Sequence, residues 1–146
     1  MHISSKCSIA LHCLVFICDY GNTTRVTSGL LALSTGSNSV VIRNIVSALK
    51  KDGILHIKPG TGGTTICCPL QEITLYRVYR AVEPDFLDKL FGIHTAPSSF
   101  CLVGQNINRI LEAPYAKVRQ DLQKSLQGIT LEDIVEEFHR QQESHF

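Results

Sequence analysis

The sequence of 146 residues has no internal repeat, no low-complexity tract and no apolar run long enough to cross a bilayer. These absences exclude repeat architectures and a helical membrane protein. An apolar stretch at residues 9–18 is as short as the core of a signal peptide, but no small-residue cleavage site follows it. With 44% hydrophobic and 18% charged residues the chain can bury a core. We therefore expect a cytoplasmic protein that makes no membrane contact.

Acidic residues are scarce in the first part of the chain. Residues 1–66 carry six basic and two acidic residues, a net charge of +4, whereas residues 67–146 carry eight basic and eleven acidic residues, a net charge of −3. A positive front half beside an acidic back half points to a polyanionic partner for the front half alone.

Apolar periodicity and turn residues predict three helices before residue 53. Two of them, joined by a short turn with a glycine, have the outline of a helix-turn-helix. The expected bounds are Ser4 or Ser5 to about Cys18, then residues 28–34 after Val26 and Thr27, then Asn38 or Ser39 to about Lys51.

The third helix separates an apolar face from a polar face that has no acidic residue. At 100° per residue the polar face carries Ser39, Arg43, Ser47 and Lys50, which are donors suited to base edges and phosphates. An ordinary amphipathic helix with a solvated face is the alternative. The apolar face is expected to contain Val41, Ile45, Ala48 and Leu49, with Ile42 at its edge.

Two short β-prone runs, residues 54–58 and 64–68, follow the third helix and are separated by PGTGG. A two-stranded ribbon directly after a helix-turn-helix is a wing. Lys58 lies at its base, from which it could reach a phosphate or a minor groove.

The remaining sequence predicts a helix at 75–83 that Thr74 caps and Pro84 terminates, and a long helix from about Leu102 to Gln127. Thr130 and Asp133 then form a capping box for a last helix to about Gln142. The expected fold is mainly α with a small β wing. It comprises a winged helix-turn-helix at 1–83, a loop or sensor segment at 84–101, and a dimerisation helix with a C-terminal helix at 102–146.

The long helix has too little protein around it to cover its own apolar positions, so we expect it to pair with a second chain. Pro114 lies within it and predicts a kink near Ile110 or a break. The candidate dimerisation residues are Val103, Ile107, Ile110, Leu111, Val118, Leu122 and Leu126.

The sequence resembles the Rrf-two family of bacterial winged-helix transcription regulators, which includes the iron–sulfur cluster regulator and the cysteine-metabolism repressor. The resemblance is carried by VTSGLLALSTGSNSVVIRNIVSALKKDGIL (26–55), KPGTGG (58–63), EITLYRVYRAVE (72–83) and HTAPSSFCLVGQNI (94–107). It implies a homodimer that presents two winged helix-turn-helix units to a palindromic operator in double-stranded DNA. The third helix would enter the major groove, and the wing would touch the adjacent minor groove.

The candidate DNA-binding residues follow from these positions. The sequence departs from the family pattern at Asn44, where a basic residue is frequent, at Ser39, where proline is common, and at Pro59, where arginine is usual. The changes at Asn44 and Pro59 weaken the phosphate contacts, so we expect modest, salt-dependent affinity. The candidates are Thr27, Ser37, Asn38, Ser39, Arg43, Asn44, Ser47, Lys50, Lys58, Gly60, Thr61 and Gly62.

Cluster-binding members carry three cysteines between the wing and the long helix, and this sequence has only Cys101 there. We therefore expect no iron–sulfur cluster, metal or other cofactor. The sequence is most similar to the subgroup with one cysteine, preceded by His94 and Pro97, at the start of the long helix. Cys101 at a helix N-terminus, within reach of His94, is a candidate sensor for an oxidant or small effector, and a structural cysteine is the alternative.

Other cysteines and histidines have simpler interpretations. Cys7, Cys13 and Cys18 lie on one helix and are expected to be buried as small hydrophobic residues. We also expect Cys67 and Cys68 on opposite faces of the second wing strand, a hydrogen-bonded core His12, a solvated His56, and a frayed tail holding His139 and His145.

The leading hypothesis is a DNA-binding transcription regulator, a repressor without enzymatic activity. The alternative is a protein-interaction adaptor that retains the winged scaffold but binds no DNA. A thiol enzyme using Cys101 and His94 is the weakest candidate, because no oxyanion-forming glycine motif lies beside Cys101.

Overall fold

The structure is a computed structural model that describes residues 3–60 and 62–145. Within these residues the chain is mainly helical with one two-stranded antiparallel sheet, as the sequence predicts. The elements are α1 (Ser5–Tyr20), α2 (Ser28–Thr35), α3 (Ser39–Lys51), β1 (Leu55–Lys58), β2 (Gly63–Ile66), α4 (Leu75–Val82), α5 (Leu102–Gln127) and α6 (Leu131–Glu143).

Polar caps explain where most helices begin. Five of the six described helices start after a residue whose side chain accepts a hydrogen bond from a backbone N–H of the first turn, which satisfies a group the helix itself leaves free. These caps are Ser4, Thr27, Asn38, Thr74 and Thr130. The capping box predicted from Thr130 and Asp133 is confirmed.

The core is built around α1, which α2, α3, α4, β2 and α6 surround. Cys7 and Cys13 are buried in it and Cys18 is half-buried against it, in line with their expected role. Burial raises the pKa of Cys7 to about 12 and those of Cys13 and Cys18 to about 11, so these thiols stay protonated. His12 is not in the core: it is exposed, and its Nε2 lies 2.9 Å from Ser34 Oγ.

The buried face of α3 differs from the predicted one. Ile42 and Val46 are fully covered, whereas Val41 and Ala48 are only half-buried. α3 packs against α1, α2, α4 and β1, and contact with four elements covers positions that the repeat of α3 alone does not indicate. Ile45 and Leu49 are buried as expected.

The wing is shorter than predicted. Its register pairs Leu55 with Ile66 and Lys58 with Gly63, so the second strand ends before the two cysteines. Cys67 is exposed and its thiol donates to the carbonyl of Gly53 at 3.1 Å, while Cys68 packs partly against the core. Their placement on opposite faces of a strand was therefore wrong.

The C-terminal half contains the long helix and a helix that returns to the core. α5 is continuous through Pro114, so the predicted break is wrong and the kink stays a prediction. The turn after α5 pairs with the start of α4, where Leu75 N–H donates to Ile129 O (2.9 Å) and Leu131 N–H donates to Ile73 O (2.7 Å). None of the described helices is both long enough and apolar enough to cross a membrane.

The last helix is packed, not frayed. α6 buries Leu131 and Val135 in the same core as α1 and α3. His139 lies within α6, and its Nε2 is 2.8 Å from Asp19 Oδ1 at the end of α1. The expected tail therefore begins only after α6, where the exposed His145 lies.

Candidate nucleic-acid interface

The polar face of α3 is exposed along its length. Ser39, Arg43, Ser47 and Lys50 are all exposed, and so is Asn44 beside them. Arg43 folds back on the first turn, because its Nε donates to Ser39 O (3.2 Å) and its Nη2 to Ser39 Oγ (3.3 Å). Two neighbouring donors are thereby held at the N-terminal end of the helix, where recognition helices contact base edges.

Two of the candidate residues use their oxygens as helix caps. Thr27 Oγ1 accepts from Leu30 N–H at 3.2 Å, and Asn38 Oδ1 accepts from Val41 N–H at 2.9 Å. The Asn38 amide NH₂ keeps two donor hydrogens, and the Thr27 hydroxyl keeps one. Ser37 is half-buried in the turn between the two helices.

The wing is joined to the helix-turn-helix by contacts that the sequence does not indicate. Thr64 N–H donates to Val26 O at 2.9 Å, and Arg25 Nη2 donates to Gly60 O at 2.6 Å. Gly63 has φ of +68°, and a Cβ there would lie 2.8 Å from Val26 O, so this close approach requires glycine. α3 and the wing are therefore fixed on one surface.

The wing candidates divide into described and undescribed residues. Lys58, Gly60 and Gly62 are exposed at the tip, and Thr61 lies outside the described residues. Arg25, which the candidate set omits, is an exposed base on the same surface. Only its charge could have drawn attention to it, since it belongs to no local pattern.

Both acidic residues of the positive front half are engaged by basic partners. Asp52 Oδ2 lies 2.8 Å from Arg77 Nε, and Asp19 lies 2.8 Å from His139. The basic side chains of α3 and the wing are therefore not neutralised by these acids. The exposed basic residues of this surface are Arg25, Arg43, Lys50, Lys51 and Lys58.

Arg77 of α4 holds the C-terminal end of α3. Besides its ion pair it donates from Nη2 to Asp52 O at 3.0 Å and from Nη1 to Glu72 O at 3.4 Å. Its Nη1 is also 3.6 Å from Cys68 Sγ, just beyond the wing. One side chain thus connects α3, the segment after the wing and α4.

The sequence of residues 3–137 matches the family described as "Rrf2: Iron-dependent Transcriptional regulator". The chain belongs to the Rrf2 family. It is 31% identical over 133 residues to the Bacillus subtilis (strain 168) protein named "Putative HTH-type transcriptional regulator YwnA", covering 91% of this chain and 96% of the relative. The resemblance drawn from sequence is therefore confirmed.

Solved structures agree with this assignment. A "putative DNA binding protein" is 29% identical, with a TM-score of 0.71 over 89% of this chain and 98% of its own. Oxidised CymR of Staphylococcus aureus is 18% identical, with a TM-score of 0.69 over 93% and 97% of the two chains, and shows likeness of fold. As an Rrf2 member the chain is a DNA-binding transcription regulator, and the family is one of regulators, not of enzymes.

Cys101 occupies the N-cap position of α5 and is exposed. Its side chain does not cap the helix with a well-formed hydrogen bond. The nearby backbone N–H groups of Gly104 and Val103 nevertheless lower the pKa of the thiol. His94 is exposed on the preceding segment, where its carbonyl accepts from Asn108 Nδ2 at 3.0 Å. No hydrogen bond joins the side chains of His94 and Cys101 in the described part of the chain.

The family description raises the question of iron. Within residues 3–60 and 62–145, no three His, Cys, Asp or Glu side chains converge as a metal-binding group. Cys7 and Cys13 are buried, protonated thiols. Cys101 can supply one thiolate, whereas an iron–sulfur cluster needs several. The donors of the described residues do not fit such a cluster.

Three of the seven candidate dimerisation residues are exposed. Val103 is 62% exposed, Ile110 57% and Val118 47%, while Ile107, Leu111 and Leu122 are half-buried. Leu126 is only 9% exposed, so it is buried within the described chain itself. An exposed apolar stripe on a long helix is the form of surface that pairs with another helix.

Proposed function

We propose that this protein is a homodimeric transcription repressor that binds a palindromic operator through α3 and the wing. The observation that supports it most is the exposure of Arg43 and Lys50 on α3 together with Lys58 on the wing and Arg25, which bonds to the wing at Gly60. The α3 donors would read base edges in the major groove, and the wing would contact the adjacent minor groove. Such a protein acts in the cytoplasm, where bacterial DNA is accessible.

The homodimer is supported by the uncovered stripe on α5. Val103, Ile110 and Val118 are exposed and fall on one side of the helix at 100° per residue. Two such helices packed together would cover each other's apolar residues and would set the spacing of the two recognition helices.

Cys101 is the proposed point of regulation. A peroxide would transfer one oxygen atom to the Cys101 thiolate, giving sulfenic acid and releasing hydroxide. The lowered pKa of the thiol and its exposure support this role. Because Cys101 starts the helix that carries the dimer stripe, oxidation there would change the packing of the two subunits.

Fluorescence anisotropy with a labelled duplex from just upstream of the protein's own gene tests operator binding. We expect binding that survives an unrelated competitor duplex and weakens as salt rises. Arg43→Gln should weaken it several-fold and lower the salt slope by about one. Arg80→Gln, an exposed arginine on α4, serves as the matched control.

The result that contradicts the proposal is absence of salt-dependent binding to either duplex. The adaptor on a winged-helix scaffold would then be the better account. Equal affinity for both duplexes would likewise contradict an operator-specific repressor. Oxidant response and operator affinity that are both unchanged in Cys101→Ser would exclude the sensor role.

A further inference from the structure

A pocket lies between the segment after α4 and the long helix, and none of the functions described above uses it. Its volume is about 450 Å³, and residues 92–94 form one wall. The other wall is α5, with Leu111 and Arg109 at the edges. We name this cavity the loop–helix pocket, and its central α5 residues are Asn108, Glu112, Tyr115 and Arg119.

The loop wall of the pocket is held on α5 by direct contacts. Phe91 stacks on Tyr115 with ring centroids 4.1 Å apart and ring planes 7° apart. Asn108 Nδ2 donates to the His94 carbonyl at 3.0 Å, and this hydrogen bond connects the two walls of the pocket. The cavity is therefore formed in the protein as it stands, with a flat aromatic pair at its side.

The charges in the pocket favour an anion. Two arginines, Arg109 and Arg119, and one glutamate, Glu112, line the pocket, which gives these three side chains a net charge of +1. Arg109 already donates a hydrogen bond from Nη2 to Asn106 Oδ1 at 2.7 Å. Arg119 is half-buried and, among the described side chains, has neither an ion-pair nor a hydrogen-bond partner. A guanidinium without a partner can recognise a carboxylate or a similar oxyanion by two parallel hydrogen bonds.

The pocket stays accessible when the apolar stripe of α5 is covered. At 100° per residue, the pocket residues Asn108, Glu112, Tyr115 and Arg119 lie about 130° around the helix from the stripe. The stripe is formed by Val103, Ile107, Ile110 and Val118. Pairing of two α5 helices along these four residues would therefore leave the central pocket residues uncovered, with Leu111, a candidate dimerisation residue, at the border between the two surfaces.

We propose that the loop–helix pocket binds a small organic anion with a flat apolar body. Arg119 holds the anionic group, and Ile93 and Tyr115, whose ring is held by stacking on Phe91, contact the body. This goes beyond the proposed function and does not depend on DNA binding. A bound molecule would bridge the loop and α5, so it would strengthen the contact between the sensor segment and the dimer helix.

Anilinonaphthalenesulfonate is a suitable probe, because it combines a flat aromatic body with one anionic group and becomes fluorescent when bound. Phenylnaphthylamine is its uncharged counterpart. The full-length protein is titrated with each dye, and the titration with anilinonaphthalenesulfonate should show one saturable site per chain. We expect Arg119→Gln to weaken the sulfonate dye about three- to tenfold. Glu112→Gln should strengthen it about two- to fivefold, since a repulsive carboxylate is removed.

The controls separate this pocket from other apolar surfaces. Lys124→Gln changes a basic residue of α5 outside the pocket and should leave both dyes unaffected. Phenylnaphthylamine should respond to neither Arg119→Gln nor Glu112→Gln. No saturable sulfonate binding, or a sulfonate affinity that is equal in the wild type and both charge variants, would overturn the proposal.

Discussion

Arg77 ties α4 to the C-terminal end of α3, and Arg77→Gln tests how much this contact stabilises the protein. Arg77 reaches from α4 to the end of α3, where its Nε and Nη2 bond the side chain and the carbonyl of Asp52. The two side chains are only 24% and 22% exposed. The pair is therefore better shielded from water than a surface ion pair.

The expected loss can be worked from these contacts. Hydrogen bonds to charged groups contribute about 1.5–3 kcal/mol each, and some of this is recovered when water and the glutamine amide replace the guanidinium. We expect Arg77→Gln to lower the free energy of unfolding by about 2 kcal/mol. For a chain of this size the melting temperature should then fall by about 4–8 °C.

Urea and thermal unfolding followed by circular dichroism measure this loss. Arg80→Gln on the same helix is the matched control, since Arg80 is exposed and only lies over the Tyr76 ring, 5.5 Å from its centroid. It should cost about 0.5 kcal/mol or less. A double-mutant cycle with Asp52→Asn should give a coupling of about 1 kcal/mol. Equal urea midpoints for Arg77→Gln and Arg80→Gln, or no coupling, would refute the reasoning.

Further predictions concern the wing, the thiols and α5. Gly63→Ala should cost about 2 kcal/mol, read from thermal melts, because its φ is positive and its Cβ would strike a backbone carbonyl. Cys101 should be alkylated at a lower pH than the exposed Cys67, because backbone N–H groups lower the pKa of the Cys101 thiol; mass spectrometry of labelled peptides over a pH series checks the order. Burial raises the pKa values of the three α1 thiols to about 11–12. Their contribution to the free energy of unfolding is therefore fully present below the unfolded-state pKa of about 9 and is lost as the pH rises towards the folded-state values. The urea midpoint should accordingly decrease as the pH is raised from about 8.5 to about 11. A midpoint that does not change with pH would contradict the burial of these thiols in their protonated form. Ile110→Asp should dissociate the dimer in sedimentation velocity without lowering helix content, and an unchanged sedimentation coefficient would exclude the α5 stripe as the interface.

The sequence predicted the elements whose ends are marked locally. Thr27, Asn38, Thr74 and Thr130 are capping residues in the structure as well, because a cap depends on neighbours a few residues away. The long helix from Leu102 to Gln127 was likewise predicted at its observed bounds. The exposure of the polar face of α3 follows from the helical repeat alone.

Contacts between distant residues could not be predicted in this way. Arg25 meets Gly60 and His139 meets Asp19 across 35 and 120 positions, and no periodicity relates such residues. The burial of Val46 also depends on which elements flank α3, not on its own repeat. A Cβ at Gly104 would lie 2.2 Å from Ser98 O, a close approach to the preceding segment that the helical repeat does not indicate.

The return of α6 to the core bears on how regulators of this kind can be recombined. α6 shares a core with α1 and α3, and the turn before α6 bonds to the start of α4. The winged helix-turn-helix and the last helix therefore form one structural unit. A hybrid regulator made by joining the first 83 residues to a foreign effector segment would lose Leu131 and Val135 from that unit. A workable exchange would instead replace an internal cassette, from the end of α4 to the end of α5, and keep both chain ends from the same parent.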